Sequence, residues 1–147
     1  MIISPPAIVD AGDCFRLQAG VRYDGRDERL WPWGSEYRRG LANDANAAHG
    51  DTLAVGSFRP AGNSPLGLSD MAGNVAEWTL DCMNLSYLDA PSDGSAWGRG
   101  ICSSRMTRGG SWFTGTREIR LPARFNLKNG DRNDFTGFRV VRRVEES

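Results

Sequence analysis

Asp70, Asn74 and Glu77 fall within eight residues of one another in LSDMAGNVAEWTLD, with Gly73 to bend the chain between them. Oxygen donors packed that closely, from side chains and backbone together, suit a hard cation such as calcium, although the spacing is not that of an EF-hand. The same residues have a second reading without a metal: Asp70 caps a helix-like turn that begins at Met71, and Glu77 pairs with an arginine. Other chemistry is thinly supplied. His49 is the one histidine and lies in a polar loop, so Ser57 and Ser111 lack a base to activate them unless it converges on them. Asp131 and Asp134 could do acid–base work, but as turn residues they are explained more simply. Cys14, Cys82 and Cys102 show no Cys-x-x-Cys spacing, which argues against a zinc knuckle. Three buried thiols are the favoured state, with a single Cys82–Cys102 bridge as the other.

The elements that would position these residues belong to one domain, residues 1–147, a length that buries a core without staples. The 18 basic and 18 acidic side chains cancel, which leaves no net field to draw nucleic acid or an anionic membrane. No run approaches the ~18 apolar residues of a membrane span, so membrane insertion is not expected. The opening MIISPPAIVDAGD reads without a secretory leader, and location inside or outside a cell stays open. The 18 glycines, with five Trp, six Phe and three Tyr, predict aromatic anchors set among many turns.

Several segments carry a more local prediction. Residues 2–9 predict a short edge strand because two prolines interrupt it. Residues 30–50 predict an aromatic plug and a polar loop with Asn43, Asp44 and Asn46 as turn formers. LAVGSF (53–58) predicts a short strand, residues 84–104 a surface excursion that re-enters the core at Arg105, and TRGGSW and TGFRVVRRV two further strands. In the last of these, Phe138 and Val140 share one face and Arg139 and Val141 the other; the final VEES reads as a frayed tail. Trp78 and Trp112 are expected in the core, and Arg120, Arg124 and Arg132 are expected to brace loops through their planar forks.

WPWG (31–34), VGSF (55–58), GLSDMAGNVAEWT (67–79), RGGSW (108–112), Arg120, Arg124 and Arg132, and GFRVV (137–141) follow one another in an order that resembles the formylglycine-generating-enzyme, or sulfatase-modifying-factor, type of domain. The resemblance implies an α+β, C-type-lectin-like fold of short antiparallel strands, one or two helices and extensive loops, with termini that meet in one sheet. It also implies a structural calcium ion held by the Asp70 and Glu77 side chains and the Gly73 and Val75 carbonyls, with a looser second site near Asn43 and Asp44. The family's oxidases bind copper through two cysteines after the GGS turn; the matching positions are Thr114 and Ile119, neither of which supplies a thiolate. Neither copper nor iron is therefore expected, and a lone histidine builds no iron site.

Between RGGSW and GFRVV, the segment from Phe113 to Thr136 follows no period of 2 or 3.6, and its composition is that of a loop-borne binding face. The candidate ligand-contacting residues are Phe113, Thr114, Thr116, Glu118, Phe125, Asn126, Leu127, Lys128, Asn133, Asp134, Phe135 and Thr136. In one branch of the resembling family, the variable proteins of diversity-generating retroelements, this stretch is rewritten between fixed arginines, and the layout here is similar. The expected function is a non-catalytic display module for a protein or other macromolecular ligand. An oxidase or degenerate relative, and a structural subunit of a phage or cell-surface assembly, are the alternatives.

Overall fold

A computed structural model describes residues 29–91 and 95–140. The expected strand at residues 2–9, the meeting of the termini and the VEES tail lie outside them. Four strands, β1 (Ala76–Met83), β2 (Ile101–Arg108), β3 (Phe125–Lys128) and β4 (Thr136–Gly137), form one sheet in the order β3-β2-β1-β4. β1 pairs antiparallel with β2, and β2 with β3, whereas β4 joins β1 in parallel.

β1 carries AEWTLDCM, whose Trp and Thr favour a pleated surface. Buried Thr79 donates its hydroxyl to the Met106 carbonyl at 3.0 Å, tying β1 to β2 through a side chain as well as the ladder. β2 is exposed from Ile101 to Ser103 and mostly buried from Ser104 onward, close to the expected re-entry at Arg105. Beside the sheet, Trp31, Ala42, Ala72 and Ile119 form a buried cluster on which Leu30, Trp33 and Tyr37 pack. Residues 30–50 thus supply the predicted plug. The Asp44 carboxylate accepts from the Asn46 and Ala47 amides at 3.1 and 3.0 Å, the predicted turn chemistry.

Several expectations are corrected. No helix occurs among the described residues. The turn expected from Met71 leads instead into β1, and Asp70, at φ 57°, accepts from the Gly56 amide at 2.7 Å rather than capping a helix. LAVGSF is a run of turns, because Ser57 and Arg59 donate back to Ala54 and Gly56 at 3.2 and 3.1 Å. The last strand covers only Thr136 and Gly137 among the described residues. Phe138 and Val140 are 77% and 72% exposed, and Arg139 turns inward. Trp78 and Trp112 are half-buried, and it is Trp31 and Trp97 that are buried.

The cysteine expectation is also corrected. Cys82 and Cys102 are joined, with Cα atoms 4.5 Å apart. The pair closes the excursion between β1 and β2, which is pinned again where Trp97 donates to Asp81 at 2.8 Å and Cys82 donates to Trp97 at 2.9 Å. Cys14 lies outside the described residues.

Candidate functional site

RGGSW ends β2 and turns the chain sharply. Gly110 sits at φ +63°, and a Cβ there would meet Thr114 Oγ1 at 2.7 Å and Ile119 Cγ2 at 2.8 Å, so only glycine lets the loop fold this closely. The Ser111 amide donates to Thr114 Oγ1 at 2.8 Å and the Thr114 hydroxyl donates back to the Ser111 carbonyl at 3.0 Å. Ile119 is fully buried in the cluster beneath. Thr114 and Ile119, where the resemblance would put the oxidases' cysteines, are thus a hydrogen-bonded threonine and a packed isoleucine. Among the described residues the only cysteines are the bridged pair.

Above this loop lies a cleft of about 320 Å³. Every strand contributes to its lining: Ala76 from β1, Thr107 from β2, Phe125, Asn126 and Leu127 from β3, and Thr136 from β4, while the loop adds Gly110, Ser111, Phe113 and Thr114 and Phe135 completes it. The rings of Phe113 and Phe135 meet edge-on, 4.7 Å between centroids at 75°, and Trp112 backs Phe113 in the same way at 5.4 Å. Asn133 sets Phe135 and Thr136, its Oδ1 accepting from the Phe135 amide at 3.2 Å and the Thr136 hydroxyl at 2.7 Å. Phe113 and Phe125 remain 47% and 44% exposed. These rings therefore do not simply finish the core; they present apolar surface at the mouth of the cleft.

Seven of the twelve candidate ligand residues line this space: Phe113, Thr114, Phe125, Asn126, Leu127, Phe135 and Thr136. Asn133 shapes it from behind, whereas Thr116, Glu118, Lys128 and Asp134 lie outside the lining. Sequence reasoning missed Ala76, Thr107, Gly110 and Ser111. The last two belong to a motif read as scaffold. Thr107 carried only its register opposite Phe125, which the sequence does not display.

The arginine braces differ from expectation. Arg124 lies over the Tyr87 ring at 3.8 Å, and Arg120 donates to its neighbouring Arg117 carbonyl at 2.9 Å, while Arg132 is exposed. Buried Arg108 does more of the bracing, donating to the Tyr87 hydroxyl at 3.0 Å and the Leu121 carbonyl at 3.4 Å.

Asp70, Gly73, Val75 and Glu77 line a separate cleft of about 370 Å³ together with Asn74 and Arg139. The donor set expected for calcium is therefore gathered in one place, but it is already engaged. Arg139 donates from Nε to Glu77 Oε2 at 2.6 Å and from Nη2 to Glu77 Oε1, and Nη2 also donates to the Asp70 carbonyl at 3.0 Å. Burial raises the Glu77 pKa above its ordinary value, and the Arg139 guanidinium offsets only part of that rise. Asn74 is committed to the backbone: its Oδ1 accepts from the Leu53 amide at 2.8 Å and from Asn43 Nδ2 at 3.2 Å. With a guanidinium on both glutamate oxygens, these residues do not fit a calcium ion. The reading of Glu77 as an arginine partner fits them.

Residues 15–144 match the family model of the sulfatase-modifying factor enzyme 1-like domain. The chain is 36% identical over 102 residues to the formylglycine-generating enzyme of Streptomyces coelicolor, covering 65% of this chain and 31% of that protein. It is 33% identical over 116 residues to the serine/threonine-protein kinase pkn1 of Chlamydia pneumoniae, covering 78% of this chain and 18% of that one. It thus spans less than a third of either curated relative. Among solved structures, PvdO from Pseudomonas aeruginosa superposes with a TM-score of 0.71 at 34% identity, over 91% of this chain and 51% of its own. Treponema denticola variable protein 1 superposes with a TM-score of 0.64 at 27% identity, over 81% and 42%.

Proposed function

Because this chain belongs to the sulfatase-modifying factor enzyme 1-like domain family, we propose that it uses the family scaffold as a non-catalytic binding module whose ligand face is the cleft of Phe113, Phe125, Leu127 and Phe135. The observation that carries the reading is that all four strands and the RGGSW loop converge on one apolar, half-open space. Among the described residues no charged side chain lines it, so the ligand it suits presents apolar or aromatic side chains, as a protein surface does. Thr114 and Ile119 at the positions of the oxidases' cysteines support a role without copper chemistry. The likeness to a variable protein supports the narrower reading that residues 113–136 are a diversified segment on a C-type-lectin-like frame.

The test selects peptides from a random display library on the intact chain, then remeasures the binders on Phe125→Ala, Leu127→Ala and Phe135→Ala beside each variant's unfolding midpoint. At least a tenfold loss of affinity, about 1.4 kcal/mol, in variants that remain folded is the expected result. Binders indifferent to all three folded variants would overturn the proposal, as would copper-dependent oxidation of a cysteine peptide by the wild-type chain. For the narrower reading, the encoding DNA should carry a near-copy of the segment for residues 113–139 beside a reverse transcriptase. Its absence would leave a generic binding domain.

A further inference from the structure

A third cleft, of about 540 Å³, lies apart from those two: it is lined by Arg38 and Arg39, with Trp33, Asn63 and Ser64 among its other walls. Its two sides come from the WPWG turn with the loop after it and from residues 61–65. The walls are fixed by their own bonds. Trp33 Nε1 donates to the Glu36 carbonyl at 3.1 Å, Asn63 Nδ2 donates to the Gly67 carbonyl at 3.1 Å, and the Ser64 amide donates to the Leu68 carbonyl at 2.9 Å. The sides meet at Gly62, where a Cβ would stand 2.3 Å from the Leu41 carbonyl oxygen. That contact admits no side chain, so the two sides stay close together there.

Arg38 and Arg39 are exposed, and neither makes a salt bridge or hydrogen bond among the described residues. Among the described residues no acidic side chain lines the cleft. Two free guanidinium forks beside each other make an island of positive charge in a chain whose formal net charge is zero. Two adjacent guanidinium groups, each a planar fork of donors, suit the three free oxygens of a tetrahedral ester better than the two of a carboxylate. The indole of Trp33, with Leu41 and Pro65, gives apolar surface for whatever bears the ester.

We propose that this cleft binds a phosphate or sulfate ester carried on an aromatic or apolar body, at a site separate from the apolar face. The experiment titrates the intact ¹⁵N-labelled chain with phenyl phosphate, phenyl sulfate and phenol, following the Trp33 indole N–H and the Gly62 amide. Binding of an ester with Kd on the order of 1 mM, reasonable for so small a ligand, should shift both signals and weaken as salt rises. Whichever ester binds more tightly identifies the source of the oxyanion. Arg38→Gln/Arg39→Gln, both exposed and so neutral to folding, should weaken binding at least tenfold, while Phe135→Ala should leave it unchanged. The proposal is overturned if phenol binds as well as the esters, if the double variant keeps its affinity, or if neither ester shifts these signals at ten times that concentration.

Discussion

Glu77 and Arg139 decide more than their positions in the sequence suggest. A bidentate, partly buried pair joins the first strand to the chain just after the last one, and Arg139 extends the joint to the backbone of Ser69 and Asp70. The carboxylate bears the cost of its burial, which raises its pKa. A folded-state pKa above the unfolded value means that the native chain binds the proton more tightly. The stability Glu77 contributes is therefore complete below its ordinary value of 4.5 and is lost as pH rises through the raised folded value. Urea midpoints of wild type and Glu77→Gln across that range should show wild type at its greatest relative stability at low pH and declining upward. A relative stability that climbs with pH would mean that the ion pair, not burial, dominates. The sequence made Glu77 conspicuous and even suggested an arginine partner. It hid which arginine, because GFRVV alternates like a strand and a strand would have turned Arg139 away from the apolar face rather than back across the sheet.

At the scale of elements, the bridge between the end of β1 and the start of β2 compensates for an irregular ladder. The register between these strands shifts between Trp78 and Cys82 and again before Met83. The crosslink and Trp97 hold the excursion the strands enclose, together with Asn84, whose Nδ2 donates to the Cys82 and Arg99 carbonyls at 3.1 and 2.7 Å. Closing a separation of 20 residues should contribute roughly 3 kcal/mol, so Cys82→Ser/Cys102→Ser should lose about that much in denaturant unfolding, and equal stability would show the bridge to be incidental. Cysteine counting offered this pairing but could not choose it, since nothing in the spacing tells a crosslink from packed thiols. The stretch from Met71 was similarly ambiguous: Asp70 suggested the cap of a helix-like turn, but the chain runs into a strand that pairs with both neighbours.

For the whole molecule, the sequence was most informative where its patterns failed. Phe113, Phe125, Leu127 and Phe135 obey no period, and that irregularity reflects their assembly from separate loops and strands around one cleft. The residues behind them, Ala76 and Thr107, follow ordinary strand patterns and gave no such sign. Because a guanidinium fills the position the resemblance assigns to calcium, exhaustive dialysis against a chelator should leave the melting temperature where it stands in millimolar calcium. A cation bound at a hundred times its Kd would instead add about 2.7 kcal/mol, a shift of several degrees. Such a shift would place an ion in the cleft after all.

The sheet's order has one further outcome. Arg108 and Gly137 both lie opposite Glu77, one on each side of it, so the chain leaves and returns on either flank of a single residue, two strand spacings or roughly 10 Å apart. The stretch between has a common doorway. Its exposed positions, away from buried Ile119 and the β3 pairing, are the ones that can change while both hinges stay put, and doubling the length of a flexible loop among them would cost only about 0.6 kcal/mol in closure entropy.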